Sequence, residues 1–105
     1  MRVPNWFLDI TLIIFTGDNG SQGNEFVPNY RGNKGTAYEG GVRVPLIISG
    51  PGINKGIISN EPTIAMDFYP TILESIGLET MPDEHLDGIS IVPALKSNAK
   101  LPKRN

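Results

Sequence analysis

The stretch "TLIIFTGDNGSQG" (Thr11–Gly23) runs from five apolar or β-branched residues into a carboxylate, an amide and a glycine. Residues 11–15 predict a strand buried on both faces, of the kind found in parallel sheets. Two interpretations of the pair Asp18–Asn19 are open. Asp-Asn-Gly is typical of a tight turn, because Asn and Gly accept positive φ. Alternatively, the two side chains are ligands of Ca²⁺ or Mg²⁺ at the carboxyl end of the strand.

The composition of the 105-residue chain excludes several classes of protein. The formal net charge is −2 and the basic C-terminal tail is short, so we expect no nucleic-acid partner. No apolar run reaches the roughly 18 residues that a membrane span requires. The absence of cysteine excludes disulfides and thiolate chemistry. Nothing in the sequence indicates a cellular compartment.

A long glycine-rich loop separates the first strand from a second one. Residues 17–43 show neither a helical nor a strand period, and a loop of that length in a compact domain is uncommon unless it is functional. Val44–Gly50 then predicts a second buried strand, with Pro45 tolerated at its start.

Two helices are predicted in the second half of the chain. Residues 67–78 predict a helix with Asp67 as its cap and Gly77 at its C-terminal stop. Its apolar stripe is expected to consist of Phe68, Ile72, Leu73 and Ile76. A shorter helix is predicted over residues 90–96 with Ser90 as its cap, and we expect the polar tail after it to be frayed.

Charged residues of three kinds are candidates for chemistry. Arg31 and Lys34 lie between glycines, so that the backbone can approach an anion while two cations neutralise it; a solvated basic turn is an equally supported alternative. Glu39 and Arg43 are four residues apart and are expected to form an ion pair that ties the loop. The single histidine, His85, lies among acidic residues and is expected to be solvated at the surface.

Four segments of the chain follow one another in an order that would rarely arise by chance. They are "TLIIFTGDNG", "YRGNKGTAYEGGVRVPLIISGPG", "IAMDFYPTILESIGL" and "LDGISIVPAL", which cover about residues 11–96. In this order they resemble the C-terminal part of the sulfatase catalytic domain. The resemblance implies an α/β fold, the alkaline-phosphatase-like sandwich, with buried strands and one or two packed helices.

The resemblance also implies roles for individual residues. Asp18 and Asn19 match two ligands of the divalent cation of the family, usually Ca²⁺, with Mg²⁺ as the alternative. Lys34 matches the lysine that contacts the sulfate group, which makes it the candidate catalytic and substrate-binding residue. The implied function is hydrolysis of sulfate esters, with a sulfated small molecule or carbohydrate as the substrate.

The chain departs from the family pattern at the nucleophile. Sulfatases use a formylglycine made from Cys or Ser in a C/S-x-P/A-x-R motif, and the nearest pattern, "SGPGI", ends in Ile53 where arginine is required. The acidic metal ligands of the first strand of the family are missing as well. We therefore expect an incomplete domain without independent activity, whose partner is the N-terminal half of the catalytic domain.

This interpretation divides the chain into three parts. Residues 1–10 do not match the family, residues 11–98 form the C-terminal portion of the catalytic domain, and residues 99–105 are the polar tail. Two alternatives stay open at this point. One is a phosphate or phosphonate ester hydrolase of the same superfamily, and the other is a non-catalytic remnant or accessory module.

Overall fold

The computed structural model describes residues 4–22, 29–81 and 87–104. In chain order its elements are α1 (Asn5–Leu8), β1 (Ile13–Thr16), α2 (Glu39–Val42), β2 (Leu46–Ser49), a 3₁₀ turn (Ala65–Asp67), α3 (Phe68–Ser75) and α4 (Val92–Ser97). The chain divides into two compact units, Met1–Pro51 and Gly52–Asn105. Among the described residues, no helix has the length and apolar character needed to cross a membrane. His85 lies outside the described residues.

The first unit contains an antiparallel pair of strands. β1 pairs with β2 so that Ile13 is opposite Ser49 and Thr16 is opposite Leu46. Both strands were predicted to be buried, and the first was predicted to be of the parallel type; these predictions are wrong. The side chains of Phe15 and Ile47 are 61% and 62% exposed on one face of the sheet. Apolar composition indicates that a strand forms, but strand direction depends on the path of the connecting chain, which composition does not contain.

The long loop between the strands contains regular structure that its composition does not indicate. α2 forms a single helical turn there, although two of its four residues are glycines with low helical propensity. Gly40 and Gly41 are nevertheless buried. Their burial shows that close packing of the backbone, rather than a period of side chains, holds this turn.

The second unit is built around α3 and α4, which pack against each other. α3 ends in a Schellman motif, in which the amides of Gly77 and Leu78 donate to the carbonyls of Glu74 and Leu73 at 3.1 and 2.9 Å. Gly77 adopts a φ of +74°, so its predicted role as the helix stop is confirmed.

The buried face of α3 differs from the predicted apolar stripe. Pro70 and Thr71 are its buried residues, whereas Ile72 and Ile76 are exposed. The apolar core of the described residues lies at the start of α4 and consists of Ile91, Val92 and Ala94. Ser90 accepts a hydrogen bond from the amide of Val92 at 3.3 Å, although the residue at the cap position itself is Ile91.

Asp67 does not cap α3 as predicted. It lies in the helical region of φ and ψ, and its fully buried carboxylate accepts hydrogen bonds from the amides of Ile64 and Ile89 at 2.8 and 3.0 Å. Arg104 donates two further hydrogen bonds to the same carboxylate, at 2.8 and 2.5 Å. The expectation of a frayed tail is therefore wrong at Arg104, because this ion pair anchors it.

Candidate functional site

The Asp-Asn turn, residues 17–20, directly follows β1. The side chain of Asp18 is exposed, and Asn19 is half-buried. The side-chain nitrogen Nδ2 of Asn19 donates a hydrogen bond to the carbonyl of Gly20 at 2.9 Å. This bond uses the side-chain nitrogen and not the side-chain oxygen, which is the atom that a cation would need. The turn thus places an exposed carboxylate and a half-buried side-chain amide at consecutive positions after the end of a strand. Both interpretations of the sequence, a turn and a pair of metal ligands, are compatible with this geometry.

Lys34 lies in a loop that returns to the Asp-Asn turn. We call residues 30–43 the lysine loop. The amide of Lys34 donates to the carbonyl of Ser21 at 2.8 Å, while its side chain is exposed. A local turn shapes the backbone at this point, because the hydroxyl of Thr36 donates to the carbonyl of Asn33 at 2.7 Å.

A second hydrogen bond joins the two segments at a close contact between glycines. The amide of Gly20 donates to the carbonyl of Gly41 at 2.9 Å. A Cβ atom on Gly20 would lie 2.5 Å from the carbonyl carbon of Gly41, a separation that real Cβ atoms essentially never show. No sequence pattern predicted this contact, although the Gly-Gly pair at 40 and 41 is a signal of close backbone packing.

The two arginines of the lysine loop stack on its tyrosines. The guanidinium of Arg31 lies 3.8 Å from the ring centre of Tyr38, and that of Arg43 lies 4.6 Å from the ring centre of Tyr30. Cation–π contacts of this kind are worth about 0.5–1 kcal/mol at exposed sites. Arg31, predicted to neutralise an anion together with Lys34, is thus held against an aromatic ring.

Glu39 and Arg43 form the predicted ion pair. The oxygen Oε2 of Glu39 lies 3.5 Å from a guanidinium nitrogen of Arg43, and both side chains are more than half exposed. Water screens such a pair, so its contribution to stability is about 0–1 kcal/mol. The pair therefore contributes little to the stability of the fold.

The residues of the turn supply part of the ligand set of a hard cation. A carboxylate oxygen and an amide oxygen are the donor types that Ca²⁺ and Mg²⁺ prefer, but Ca²⁺ takes six to eight oxygens. Within residues 4–22, 29–81 and 87–104, no group of three His, Cys, Asp or Glu side chains is arranged to hold a metal. Asp18 and Asn19 thus fit a cation as two of its ligands and do not form a complete site among the described residues.

Comparison with known proteins identifies the family. The family model described as Sulfatase matches residues 7–78. The steryl-sulfatase of Mus musculus is 36% identical over 86% of this chain and 16% of its own length. Human arylsulfatase D is 37% identical over 88% of this chain and 17% of its length. The extracellular sulfatase SULF-1 homolog of Drosophila melanogaster is 37% identical over 93% of this chain and 8% of its length.

The matched segment contains β1, the Asp-Asn turn, the lysine loop, β2 and α3. The chain belongs to the sulfatase family. It spans between 8% and 17% of the length of these three relatives.

Proposed function

We propose that the chain forms part of the active site of an enzyme that hydrolyses sulfate esters. One observation carries the proposal: the hydrogen bond from the amide of Lys34 to Ser21 ties the lysine loop to the segment that follows Asp18 and Asn19. The candidate cation-binding and sulfate-binding residues therefore belong to one local structure inside the segment that matches the sulfatase family.

The residues have separate parts in the proposed reaction. The ammonium of Lys34 binds a sulfate oxygen and neutralises negative charge on it, an electrostatic contribution that is often the largest in such reactions. The carboxylate of Asp18 and the amide oxygen of Asn19 hold a divalent cation, Ca²⁺ or Mg²⁺. When bound, the cation supplies further positive charge against the sulfate group. The formylglycine nucleophile is not encoded in these 105 residues and is contributed by another part of the active site.

The proposal extends to the fold and the substrate class. In the complete enzyme, β1 and β2 belong to the larger sheet of an alkaline-phosphatase-like α/β sandwich, with residues 11–98 as its C-terminal portion. The substrate is a sulfated small molecule or carbohydrate. The names of the relatives, steryl-sulfatase and arylsulfatase, support this class of substrate.

A chimeric enzyme tests the proposal. Residues 11–78 of this chain replace the matching segment of human arylsulfatase D, which supplies the rest of the active site. We expect the chimera to release sulfate from an aryl sulfate. The substitutions Lys34→Ala and Asp18→Ala should each reduce kcat/KM by about 100-fold. Lys34→Ala removes a positive charge that opposes negative charge in the transition state, and Asp18→Ala removes a ligand of the cation that would do the same.

Lys55→Ala is the matched control for the lysine, because it removes an exposed cation outside the lysine loop. A folded chimera in which Lys34→Ala and Lys55→Ala have the same small effect would contradict the proposal. If the chimera releases phosphate from a phosphate ester in preference to sulfate from a sulfate ester, the substrate class is phosphate esters instead of sulfate esters.

A further inference from the structure

Two backbone hydrogen bonds connect the lysine loop to the last residue of the Asp-Asn turn and to the residue directly after it. The amide of Gly20 donates to Gly41 at 2.9 Å, and the carbonyl of the next residue, Ser21, accepts from Lys34 at 2.8 Å. The first bond holds the end of the lysine loop and the second holds its middle. Because they are adjacent in the chain, a shift of the backbone at Gly20 reaches both.

The contact at Gly20 leaves no room for a side chain. A Cβ atom there would lie 2.5 and 2.7 Å from the carbonyl carbon and the Cα of Gly41, and closer still to the carbonyl oxygen of Gly40. These atoms belong to the backbone and cannot rotate away as the end of a flexible side chain can. A residue other than glycine at position 20 must therefore displace the lysine loop.

The glycines of the lysine loop at this contact are themselves packed closely against other parts of the loop. A Cβ on Gly40 would lie 2.7 Å from the carbonyl carbon of Gly32, and a Cβ on Gly41 would lie 2.6 Å from the carbonyl oxygen of Asn33. The amide of Gly40 also donates to the carbonyl of Arg31 at 2.9 Å. The loop is thus packed closely on itself, so we expect a displacement at Gly41 to be passed on to Lys34.

We infer that Gly20 is a positioning residue, which fixes where Lys34 lies relative to Asp18 and Asn19. It acts through backbone packing and touches neither substrate nor cation. The inference rests on the proposed function for the role of Lys34 in binding sulfate, whereas the position of the Lys34 backbone can be tested without that role. The substitution Gly20→Ala should separate the two segments while the side chains of Asp18, Asn19 and Lys34 stay unchanged.

Gly17 provides the matched control, since it begins the same turn. A Cβ on Gly17 would lie 3.2 Å from the Cγ1 of Val44 and 3.4 Å from the carbonyl oxygen of Asn19. The neighbouring atoms would have to shift by only a few tenths of an ångström to accept this Cβ. Gly17→Ala therefore makes the same chemical change three residues away without displacing the lysine loop.

The first readout is the amide hydrogen exchange of Lys34, measured by NMR on the full 105-residue chain without ligand. We expect exchange to be about tenfold faster in Gly20→Ala, because the bond to Ser21 is lost, and unchanged in Gly17→Ala. The amide of Ile48 in β2 should keep its wild-type rate in both variants, which separates a local change from unfolding. Unchanged exchange of Lys34 in Gly20→Ala, or equal acceleration in both variants, would overturn the inference.

The second readout is the titration of the same three proteins with inorganic sulfate, followed at the side-chain signals of Lys34. A purely structural glycine would leave the apparent Kd for sulfate unchanged in the folded protein. We expect Gly20→Ala to raise the apparent Kd for sulfate severalfold and Gly17→Ala to leave this Kd unchanged. The same Kd in all three proteins would overturn the inference. If the wild-type chain gives no response to sulfate, the proposed function fails while the exchange data still decide the position of the lysine backbone.

A measurement on the wild-type chain covers the case in which Gly20→Ala does not fold. Scalar couplings across hydrogen bonds report directly on the pairs Gly20–Gly41 and Lys34–Ser21. We expect both couplings to be present and to weaken together on warming. Loss of the Gly20–Gly41 coupling at a temperature where the Lys34–Ser21 coupling persists would overturn the inference.

Discussion

Asp67 is fully buried and carries a negative charge that four hydrogen bonds satisfy. Burial alone would raise the pKa of its carboxyl, but the hydrogen bonds from Arg104, Ile64 and Ile89, together with the charge of Arg104, lower the pKa below its ordinary value of 3.8. The same contact raises the pKa of the Arg104 guanidinium. The charged form of Asp67 is therefore part of the folded state of the second unit.

This lowered pKa makes the stability of the second unit depend on pH. A carboxyl whose pKa is lower in the folded state stabilises the fold above its unfolded pKa, and the contribution is lost as the pH falls through the folded pKa. We expect Asp67→Asn to reduce the free energy of unfolding at pH 7 by about 3 kcal/mol, because it leaves Arg104 without its carboxylate. The difference from wild type should shrink as the pH falls below 3.8.

Urea unfolding followed by the NMR signals of α3, between pH 7 and acid, measures this effect. Asp9→Asn is the control, since Asp9 is an exposed carboxylate. A difference between wild type and Asp67→Asn that stays constant over the whole pH range would contradict the assignment.

Sequence patterns predicted the structural roles of single residues correctly where the interacting residues are close together in the chain. The stop of α3 at Gly77 and the ion pair of Glu39 with Arg43 each depend on residues within one or two helical turns. The sequence predicts Asp67 as a helix cap, because an Asp before a helical segment usually is one. Its partner Arg104 is 37 residues away, and local sequence contains no sign of such a contact.

At the scale of the element, α3 is joined to the segment before α4 by a buried hydroxyl. The side chain of Thr71 is fully buried, accepts from the amide of Ile91 at 3.0 Å and donates to the carbonyl of Asp67 at 2.6 Å. Ile91 is itself a core residue, only 1% exposed. Thr71 thus satisfies a backbone amide that has no access to water.

Removing this hydroxyl should destabilise the second unit. Thr71→Val keeps the shape of the side chain but leaves the amide of Ile91 buried without an acceptor, which costs about 1–3 kcal/mol. Thr71→Ser keeps the hydroxyl and loses one methyl group, so its effect should be smaller. Urea unfolding monitored at α3 compares the two variants. An equal or larger loss of unfolding free energy in Thr71→Ser would show that packing of the methyl group dominates.

Of the seven elements in the described residues, the sequence predicted four and missed the 3₁₀ turn and the two shortest α-helices. β1, β2, α3 and α4 each overlap a predicted segment, because a run of apolar or β-branched residues or a helical pattern with Pro and Gly at its ends is a strong local signal. α1 and α2 have four residues each, too few to show a period. The antiparallel direction of the strands was not predictable, because it is set by the fold of the loop between them.

The candidate site follows the same rule. The residue types and their order indicated Asp18 and Asn19 as cation ligands and Lys34 as the sulfate-binding residue. These roles stay predictions. The hydrogen bonds of Gly20 and Ser21 to the lysine loop connect residues 13 to 21 positions apart, so that only the structure could reveal them.

At the scale of the whole molecule, one face of the β1–β2 sheet is apolar and exposed. Ile13, Phe15 and Ile47 lie on this face and are each at least 43% exposed. β2 alternates between half-buried and exposed residues, whereas three of the four residues of β1 are exposed, and most of the exposed side chains of the two strands are apolar. Exposed apolar strands of this kind favour association with another protein surface.

We expect the isolated chain to associate with itself through this face. Sedimentation velocity should show an average mass that rises with concentration, and Phe15→Lys should shift the chain towards the monomer because it places a charge in the contact. Ile58→Lys is the control, since Ile58 is 84% exposed and lies outside the sheet. A wild-type chain that stays monomeric at every concentration, or equal effects of both substitutions, would contradict this prediction.

The proposed active site depends most on whether Asp18 and Asn19 bind a divalent cation. The direct measurement is an NMR titration of the full chain with CaCl₂, for the wild type and for Asp18→Ala, with Asp9→Ala as a control of equal charge. We predict saturable shifts at Asp18 and Asn19 with a weak Kd, about 1 mM or above, because two ligands provide only part of a calcium site.

These shifts should vanish in Asp18→Ala and persist in Asp9→Ala. Shifts that never saturate and are the same in all three proteins would mean that calcium only screens the surface charge. The sequence Asp-Asn-Gly would then be a turn in this chain and not part of a metal site.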